Sequence, residues 1–139
     1  MHQSLISGVN VSRETIEALE YFAALIEKWT AKINLISKAS RSDLWVRHIL
    51  DSAQLLKICP RNIQNWLDLG SGGGLPGVVV AILAKELIPT LTMTLVESDK
   101  RKSVFLRTAV RELGLNASVL NARIEKLAPM KADVISARA

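Results

Sequence analysis

One stretch decides the fold of this chain: Asp68-Leu69-Gly70-Ser71-Gly72-Gly73-Gly74-Leu75-Pro76-Gly77. It follows the apolar pair Trp66-Leu67 and precedes the apolar run 78–84, so the sequence predicts a strand, a glycine-rich turn and a helix. Glycines let the backbone adopt positive φ and approach a ligand closely. Pro76 suits the first turn of a helix, whose free N–H groups face whatever lies above the turn. This order of elements is typical of a loop that binds a nucleotide cofactor.

Three kinds of glycine loop compete for this segment. A P-loop is excluded, because Val78 and Val79 stand where the phosphate-binding lysine and the magnesium-binding hydroxyl would be required. A dinucleotide fingerprint fits better, since the spacing G-x-G-x-x-G spans residues 72–77 and Glu97 lies roughly twenty residues further on. This pattern favours an NAD(P)-dependent Rossmann enzyme.

The third kind takes in the acidic residue before the glycines. The run Asp68-x-Gly70-x-Gly72-x-Gly74 resembles the first motif of S-adenosylmethionine-dependent methyltransferases. A carboxylate at this position repels a pyrophosphate but attracts a ligand that carries an amino group and a sulfonium. The loop thus favours a methyl donor, while the dinucleotide enzyme and a tight turn without any ligand stay open.

Composition indicates a single globular domain. Of the 139 residues, 49% are apolar and 22% are charged, which is too apolar for a disordered chain. The longest apolar stretch, 75–84, is too short to span a bilayer, and the single Cys59 agrees with a reducing compartment, so we expect a cytoplasmic protein with no membrane partner. The spacing of His and Cys predicts no metal site. A net charge of +5 is compatible with a polyanionic partner such as RNA.

The pattern of the chain changes near Asn65. Before it, Ser12 and the pair Ser40-x-x-Asp43 predict the starts of two helices, the second ending near Cys59-Pro60. After it, the sequence predicts strand 66–69, helix 76–87, strand 92–96, helix 99–113, strand 117–121 and strand 132–136. We therefore predict an α/β fold with a parallel sheet (66–139) and a helical extension (1–65) packed on the same domain.

The remaining candidate residues follow the predicted strands, where ligands of parallel sheets bind. Glu97 could accept hydrogen bonds from ribose hydroxyls, or serve as a helix-start acid. The segment 121–125 could border an adenine ring with Ile124, although a capped loop fits the spacing nearly as well. Asp133 and Arg138 flank the last strand, and Arg138 could hold a carboxylate or a phosphate unless it is simply solvated.

Two further clusters have a functional and a structural interpretation. Lys100, Arg107 and Arg111 fall on one side of helix 99–113, where they form either a solvated face or an RNA contact. In the extension, Asp51 could orient His48 as a general base, but the spacing fits a salt-bridged packing motif better.

Six segments of the chain, taken together in this order, resemble the motifs of one family. They are Lys32-Ile33-Asn34-Leu35, Arg47-His48-x-x-Asp51-Ser52, the 68–77 loop, Glu97-Ser98-x-x-x-Lys102 with Phe105-Leu106, Asn121-x-Arg123-x-Glu125 and Asp133-Val134-Ile135-Ser136-x-Arg138-Ala139. From about residue 28 to the end, the chain closely resembles the small-subunit ribosomal RNA methyltransferase G family, also called glucose-inhibited division protein B. The resemblance implies a class I, Rossmann-like methyltransferase fold with an N-terminal helical extension.

The resemblance also implies a reaction and a set of contacts. The reaction is methylation of guanine N7 in small-subunit (16S) ribosomal RNA, free or in the assembled subunit, with S-adenosylmethionine as the donor. By position, the cofactor contacts are Gly70, Leu75, Ile124, Glu125 and Arg138, to which the chemistry above adds Asp68, Gly72 and Glu97. No catalytic residue is assigned, because N7 carries a free lone pair and no proton. His48 and Asp51 are accordingly expected to be structural or to position the substrate.

Family members are expected to continue beyond the final Arg-Ala pair through further strands. We therefore expect the 139-residue chain to be a truncated form with an incomplete sheet, in which the last strand is an unprotected edge. Such a form is expected to bind the cofactor weakly and to methylate poorly. A catalytically silent RNA-binding or assembly protein on the same fold is the alternative from another functional class.

Overall fold

The computed structural model describes residues 4–6, 9–36, 43–60 and 62–137, without the side chains of 4–6, 9, 46 and 47. In chain order the elements are β1 (Ser4–Ile6), β2 (Val9–Val11), α1 (Arg13–Ile33), a π-helix (Leu44–Leu50), α2 (Asp51–Ala53), α3 (Leu55–Ile58), β3 (Asn65–Leu69), α4 (Gly77–Leu87), β4 (Thr92–Val96), α5 (Lys100–Leu113), β5 (Ala117–Leu120), a 3₁₀ turn (Ile124–Lys126) and β6 (Val134–Ala137).

The main sheet is parallel and has the strand order β5-β4-β3-β6. Asp68 of β3 lies in register with Leu95 of β4 on one side and with Ser136 of β6 on the other. The chain moves outward from β3 to β5 and then returns to the other side of β3, so the strand order reverses between β3 and β6. In open parallel sheets, a ligand binds at such a reversal, outside the carboxyl ends of the strands. The predicted parallel α/β class is confirmed, and each predicted strand lies within two residues of an observed one.

Helices α1, α4 and α5 form the main core together with the sheet. Every residue from Val78 to Ala84 on α4 is buried, because α4 lies against β4 on one side and against α1 and α5 on the other. The rings of Phe22 and Trp29 on α1 pack against Phe105 of α5, with ring centres 6.1 and 5.5 Å apart. Burial of one such ring contributes about 1.5–3 kcal/mol, so these contacts fix α1 against the sheet domain.

The ends of α1 have local causes. Ser12 is the N-cap, as predicted, and its side chain accepts a hydrogen bond from the N–H of Thr15 at 3.3 Å. Its own N–H donates to Glu86 on α4 at 3.0 Å, which ties the start of α1 to the core. The helix ends at Asn34, which has φ 58, a left-handed conformation that asparagine tolerates. The next residue, Leu35, lies beside Gly73 of the glycine loop.

The region before Asn65 differs from the prediction in two ways. A short antiparallel hairpin, β1–β2, precedes α1 and was not predicted. The predicted second helix is a π-helix followed by the short helices α2 and α3, and Asp43 at its start makes no capping bond through its side chain. Ser40 of the predicted capping box lies outside the described residues. The division of the chain into an extension and a core at Asn65 stays a prediction.

The two faces of the sheet differ in their surroundings. Alternation along the strands puts Trp66, Asp68, Leu95 and Ser136 on the face that carries α4. On the opposite face, Ile135 is 60% exposed and Leu120 is 37% exposed. In the part of the chain with described structure, β6 is an edge strand, and none of the helices has the length and apolar character needed to cross a membrane.

Candidate cofactor site

The glycine loop lies at the carboxyl end of β3 and is tied to the neighbouring strand. Gly70, Gly72 and Gly74 have φ values of 68, 52 and 86, a region that side chains rarely adopt. The N–H of Ser71 donates to the carbonyl of Val96 at 2.9 Å, and its hydroxyl donates to the carbonyl of Asp68 at 3.1 Å. The loop therefore has one fixed path over the end of the sheet.

The glycines of this loop serve different purposes. A Cβ on Gly74 would lie 2.8 Å from the ring of Phe22 and 2.7 Å from a methyl group of Val78, and one on Gly77 would overlap the Asp68 carboxylate. These two glycines allow the helices to pack closely beneath the loop. Among the described residues, a Cβ on Gly70 would meet no atom within 4 Å. Gly70 therefore presents its backbone to open space, as a ligand contact requires.

Asp68 lies beneath the loop rather than above it. Its side chain is buried, and Oδ1 accepts a hydrogen bond from the Ser136 hydroxyl at 2.7 Å. The same hydroxyl accepts a hydrogen bond from Nε1 of Trp66 at 2.8 Å, so this chain of bonds joins β3 to β6 at the point where the strand order reverses. Leu75 is buried as well. A direct contact of either side chain with a cofactor stays a prediction.

The carboxylate of Glu97 connects the glycine loop, which follows β3, with the segment that follows β4. Its Oε1 accepts from the N–H of Gly72 at 2.7 Å, and its Oε2 accepts from the N–H of Asp99 at 2.9 Å. Each carboxylate oxygen has a second lone pair, so Glu97 retains the capacity to accept further hydrogen bonds from a ligand. Its fixed position at the end of β4 suits the predicted contact with ribose hydroxyls.

The helix-start role considered for Glu97 belongs to Asp99. The carboxylate of Asp99 caps α5 by accepting from the N–H groups of Arg101 and Lys102 at 2.9 and 3.1 Å. The hydrogen bond from the Lys102 N–H, with that from Arg101, lowers the pKa of Asp99. Sequence analysis missed this residue, although an Asp before a basic helical run is an N-cap signal.

A small cavity adjoins the loop. Its volume is about 140 Å³, and it is lined by Gly70, Val96, Ser98, Ala122, Arg123, Ile124 and Glu125. Pockets that enclose a whole drug-sized ligand measure about 300–1,000 Å³, so this one fits a single ring system. Three apolar side chains and the backbone around Gly70 make it suitable for one face of a heterocyclic base. The structure thus brings the predicted residues Gly70, Ile124 and Glu125 to one cavity, and Gly72 and Glu97 lie beside it.

The segment after β5 is held in this position by hydrogen bonds to β4. The carbonyl of Glu97 accepts from the side chain of Asn121 at 2.9 Å and from the N–H of Ala122 at 3.1 Å. The Asn121 side chain also donates to the carbonyl of Ser98 at 3.0 Å. Glu97 therefore binds the glycine loop through its side chain and the segment after β5 through its backbone.

Other candidate residues lie elsewhere. The carboxylate of Asp133 accepts from the N–H groups of Gln64 and Asn65 at 2.8 and 2.9 Å, which lowers its pKa and joins the start of β3 to β6. Asp51 lines a larger cavity of about 750 Å³ beside β6. The carbonyl of His48 accepts from the Ser52 hydroxyl at 2.6 Å. Arg138 lies outside the described residues.

The architecture and the site together define the class of protein. A parallel sheet whose strand order reverses beside a glycine loop, with a fixed acid at the end of the next strand, is the architecture of a Rossmann-like domain.

Comparison with known proteins identifies the family within this class. The family described as rRNA small subunit methyltransferase G matches residues 15–139. Proteins named "Ribosomal RNA small subunit methyltransferase G" are 55% identical in Cereibacter sphaeroides, over all of this chain and 68% of the relative, and 54% identical in Ruegeria pomeroyi, over 94% of this chain and 64% of the relative. The chain belongs to the rRNA small subunit methyltransferase G family, and its fold is that of a class I methyltransferase.

Proposed function

We propose that this protein binds S-adenosylmethionine at the glycine loop and transfers its methyl group to N7 of a guanine in small-subunit (16S) ribosomal RNA. One observation carries the proposal: the N–H groups of Gly72 and Asp99 fix the carboxylate of Glu97, and its neighbours Val96 and Ser98 line a cavity together with Gly70. The names of the relatives, which specify small-subunit ribosomal RNA, support the substrate. The substrate in turn implies a cytoplasmic location.

The residues at the site fit this cofactor. Glu97 would accept hydrogen bonds from the two ribose hydroxyls, while Ile124, which is 48% exposed, would pack on the adenine ring. The backbone around Gly70 would contact the chain that carries the sulfur. The carboxylate of Asp68 beneath the loop contributes a negative charge that favours a cationic ligand over a pyrophosphate. When bound, S-adenosylmethionine supplies an electrophilic methyl carbon.

The chemistry of the target atom, guanine N7, determines which catalytic groups the protein needs. Guanine N7 offers a lone pair in the plane of the base and carries no proton, so its methylation requires no general base. The contribution of the protein is to hold the two reactants in line and to exclude other orientations. This agrees with the position of His48 and Asp51 in the helical segment before β3, where the structure gives Ser52 a helix-stabilising bond to the His48 carbonyl.

A methyl-transfer assay tests the proposal. The chain is incubated with S-adenosylmethionine labelled in the methyl group and with either free 16S ribosomal RNA or small ribosomal subunits. We expect label in the RNA and strand cleavage at the labelled guanine after reduction and aniline treatment, a reaction that 7-methylguanine undergoes. A reaction without the protein is the control for background transfer.

Three results would overturn the proposal. Incorporation no greater than that of the reaction without protein in both RNA forms would show that the chain does not carry out the reaction. RNA binding without any binding of S-adenosylmethionine would favour the silent RNA-binding protein instead. Label at a different atom would refute the assignment of N7.

A further inference from the structure

The basic residues of the chain are concentrated on α5. This helix carries five cationic residues and one acid, in a chain whose net charge is +5. Lys100, Arg107 and Arg111 lie at spacings of seven and four residues, so they form one exposed stripe along the helix. The ion pair of Arg111 with Glu112 is 3.9 Å long and the arginine is 72% exposed, so it neutralises little of this charge. The stripe is a site of positive potential that favours a polyanion.

A groove runs beside this stripe, between α5 and α1. Its volume is about 480 Å³, and it is lined by Tyr21, Ala24, Leu25, Lys28, Trp29, Thr108, Arg111 and Glu112. Lys28 thus lies across the groove from Arg111. Tyr21 is 48% exposed, and Trp29 is held in place by its edge-on contact with Phe105. Cations that flank exposed aromatic rings are the arrangement with which proteins bind single-stranded nucleic acids.

The stripe begins near the cofactor loop, at the start of α5, and the groove lies further along the helix. The guanidinium of Arg101 donates to the carbonyl of Lys32 at 2.8 Å, which joins the end of α1 to the start of α5. The carbonyl of Leu35 lies 3.3 Å from the position of a Cβ on Gly73. From Arg101 to Arg111 the helix rises roughly 15 Å at about 1.5 Å per residue. That distance corresponds to roughly four nucleotides of a strand whose stacked bases lie about 3.4 Å apart.

We propose that the stripe of Lys100, Arg107 and Arg111, together with Lys28 across the groove, binds the phosphate backbone of a single RNA strand next to the methylated base. The inference rests on the proposed function, since the strand belongs to the substrate that the loop modifies. Phosphate contacts of this kind position the RNA without reading its sequence. The stripe therefore contributes affinity and orientation, and the site near the loop selects the base.

Binding of a labelled RNA tests this surface. A 12-nucleotide single-stranded RNA with a fluorescein label is titrated with the protein at several KCl concentrations, and its anisotropy is measured. The test variant is Arg107→Gln with Arg111→Gln. The matched control is Arg13→Gln with Lys57→Gln, which removes the same charge from exposed positions at the far end of α1 and on α3.

The test variant should bind the RNA about tenfold more weakly at low salt, and the slope of log affinity against log salt should fall by about 1.4, or about 0.7 for each lost contact. The control variant should change affinity by less than about twofold, as expected of a charge far from the bound strand. Lys28→Gln alone should weaken binding by about threefold. Equal losses in the two double variants, or no RNA binding by the unaltered chain, would overturn the proposal, as would equally tight binding of an acidic 12-residue peptide.

The same variants separate this proposal from the proposed function. Their affinity for S-adenosylmethionine is measured by calorimetry, and we expect it to be unchanged in both double variants. A selective loss of RNA affinity in a chain that binds no S-adenosylmethionine would support the surface and refute the methyltransferase. Normal cofactor binding, together with equal RNA affinity in the test and control variants, would support the methyltransferase and refute the proposed RNA-binding surface.

Discussion

Two glycines of the loop, Gly70 and Gly74, should respond differently to the same substitution. Both have positive φ, 68 and 86, so alanine at either position costs about 1–2 kcal/mol of backbone strain. At Gly74 the new methyl group would also lie 2.8 Å from the ring of Phe22 and 2.7 Å from Val78. Overpacking of this kind adds about 1–3 kcal/mol, which brings the expected loss for Gly74→Ala to about 2–5 kcal/mol.

Gly70→Ala should show the opposite pattern. No atom of the residues that the structure describes lies within 4 Å of the added Cβ, so the loss of stability should stay at about 1–2 kcal/mol. The methyl group would, however, project into the space beside the 140 Å³ cavity, where the backbone is expected to contact the cofactor. We expect affinity for S-adenosylmethionine to fall by about tenfold or more, or about 1.4 kcal/mol.

The assay is urea unfolding followed by circular dichroism, combined with calorimetric titration of each folded variant. A loss in Gly70→Ala as large as that in Gly74→Ala would refute the packing argument. Unchanged cofactor affinity in Gly70→Ala would refute the assignment of the cavity.

Three further substitutions test individual contacts. Glu97→Gln presents an amide NH₂ to one of the two backbone N–H groups that the carboxylate binds, so it should cost about 2–3 kcal/mol in urea unfolding and weaken cofactor binding. Ser136→Ala removes the donor to the buried Asp68, with an expected loss of about 1–3 kcal/mol and a folded circular dichroism spectrum. Asp99→Asn tests pH dependence: the Lys102 N–H lowers the pKa of Asp99, so its stabilisation is present above the unfolded pKa and is lost as pH falls through the lower folded value. The variant should therefore lose less stability than the unaltered chain between about pH 5 and pH 3, and an identical pH profile would contradict this.

The sequence predicts the glycine loop and the parallel strands well, for a local reason. The apolar pair, the glycine run and the second apolar run follow one another within twenty residues. Each of these patterns indicates its own backbone conformation without any distant contact. Gly70, Gly72 and Gly74 adopt the positive φ values that their spacing indicated. The strand and helix bounds after Asn65 follow from the same short-range signals.

Features that depend on distant contacts were not predictable in this way. The bond from Ser136 to Asp68 joins positions 68 residues apart, and only the order of the strands brings them together. The helix-start role of Asp99 was considered only as an alternative for Glu97, because both acids precede the same helix and spacing does not show which carboxylate turns back onto it. The strands β1 and β2 contain three residues each, which is too short for an alternating pattern to stand out.

The break in the predicted second helix has a similar cause. Ile49, Ala53 and Leu56 are buried as the periodicity indicated, although the segment changes from a π-helix to two short α-helices between them. The backbone hydrogen-bond pattern between them depends on how the segment packs against the sheet domain, and the residue pattern does not record it.

The most direct test of the account is calorimetric titration of the 139-residue chain with S-adenosylmethionine and, separately, with NAD. The account predicts binding of S-adenosylmethionine at one site and no measurable binding of NAD, because the acid at the end of β3 and the small cavity at the loop suit a methyl donor and leave no place for a pyrophosphate. Binding of NAD, or binding of S-adenosylmethionine that is unaffected by Gly70→Ala, would contradict it.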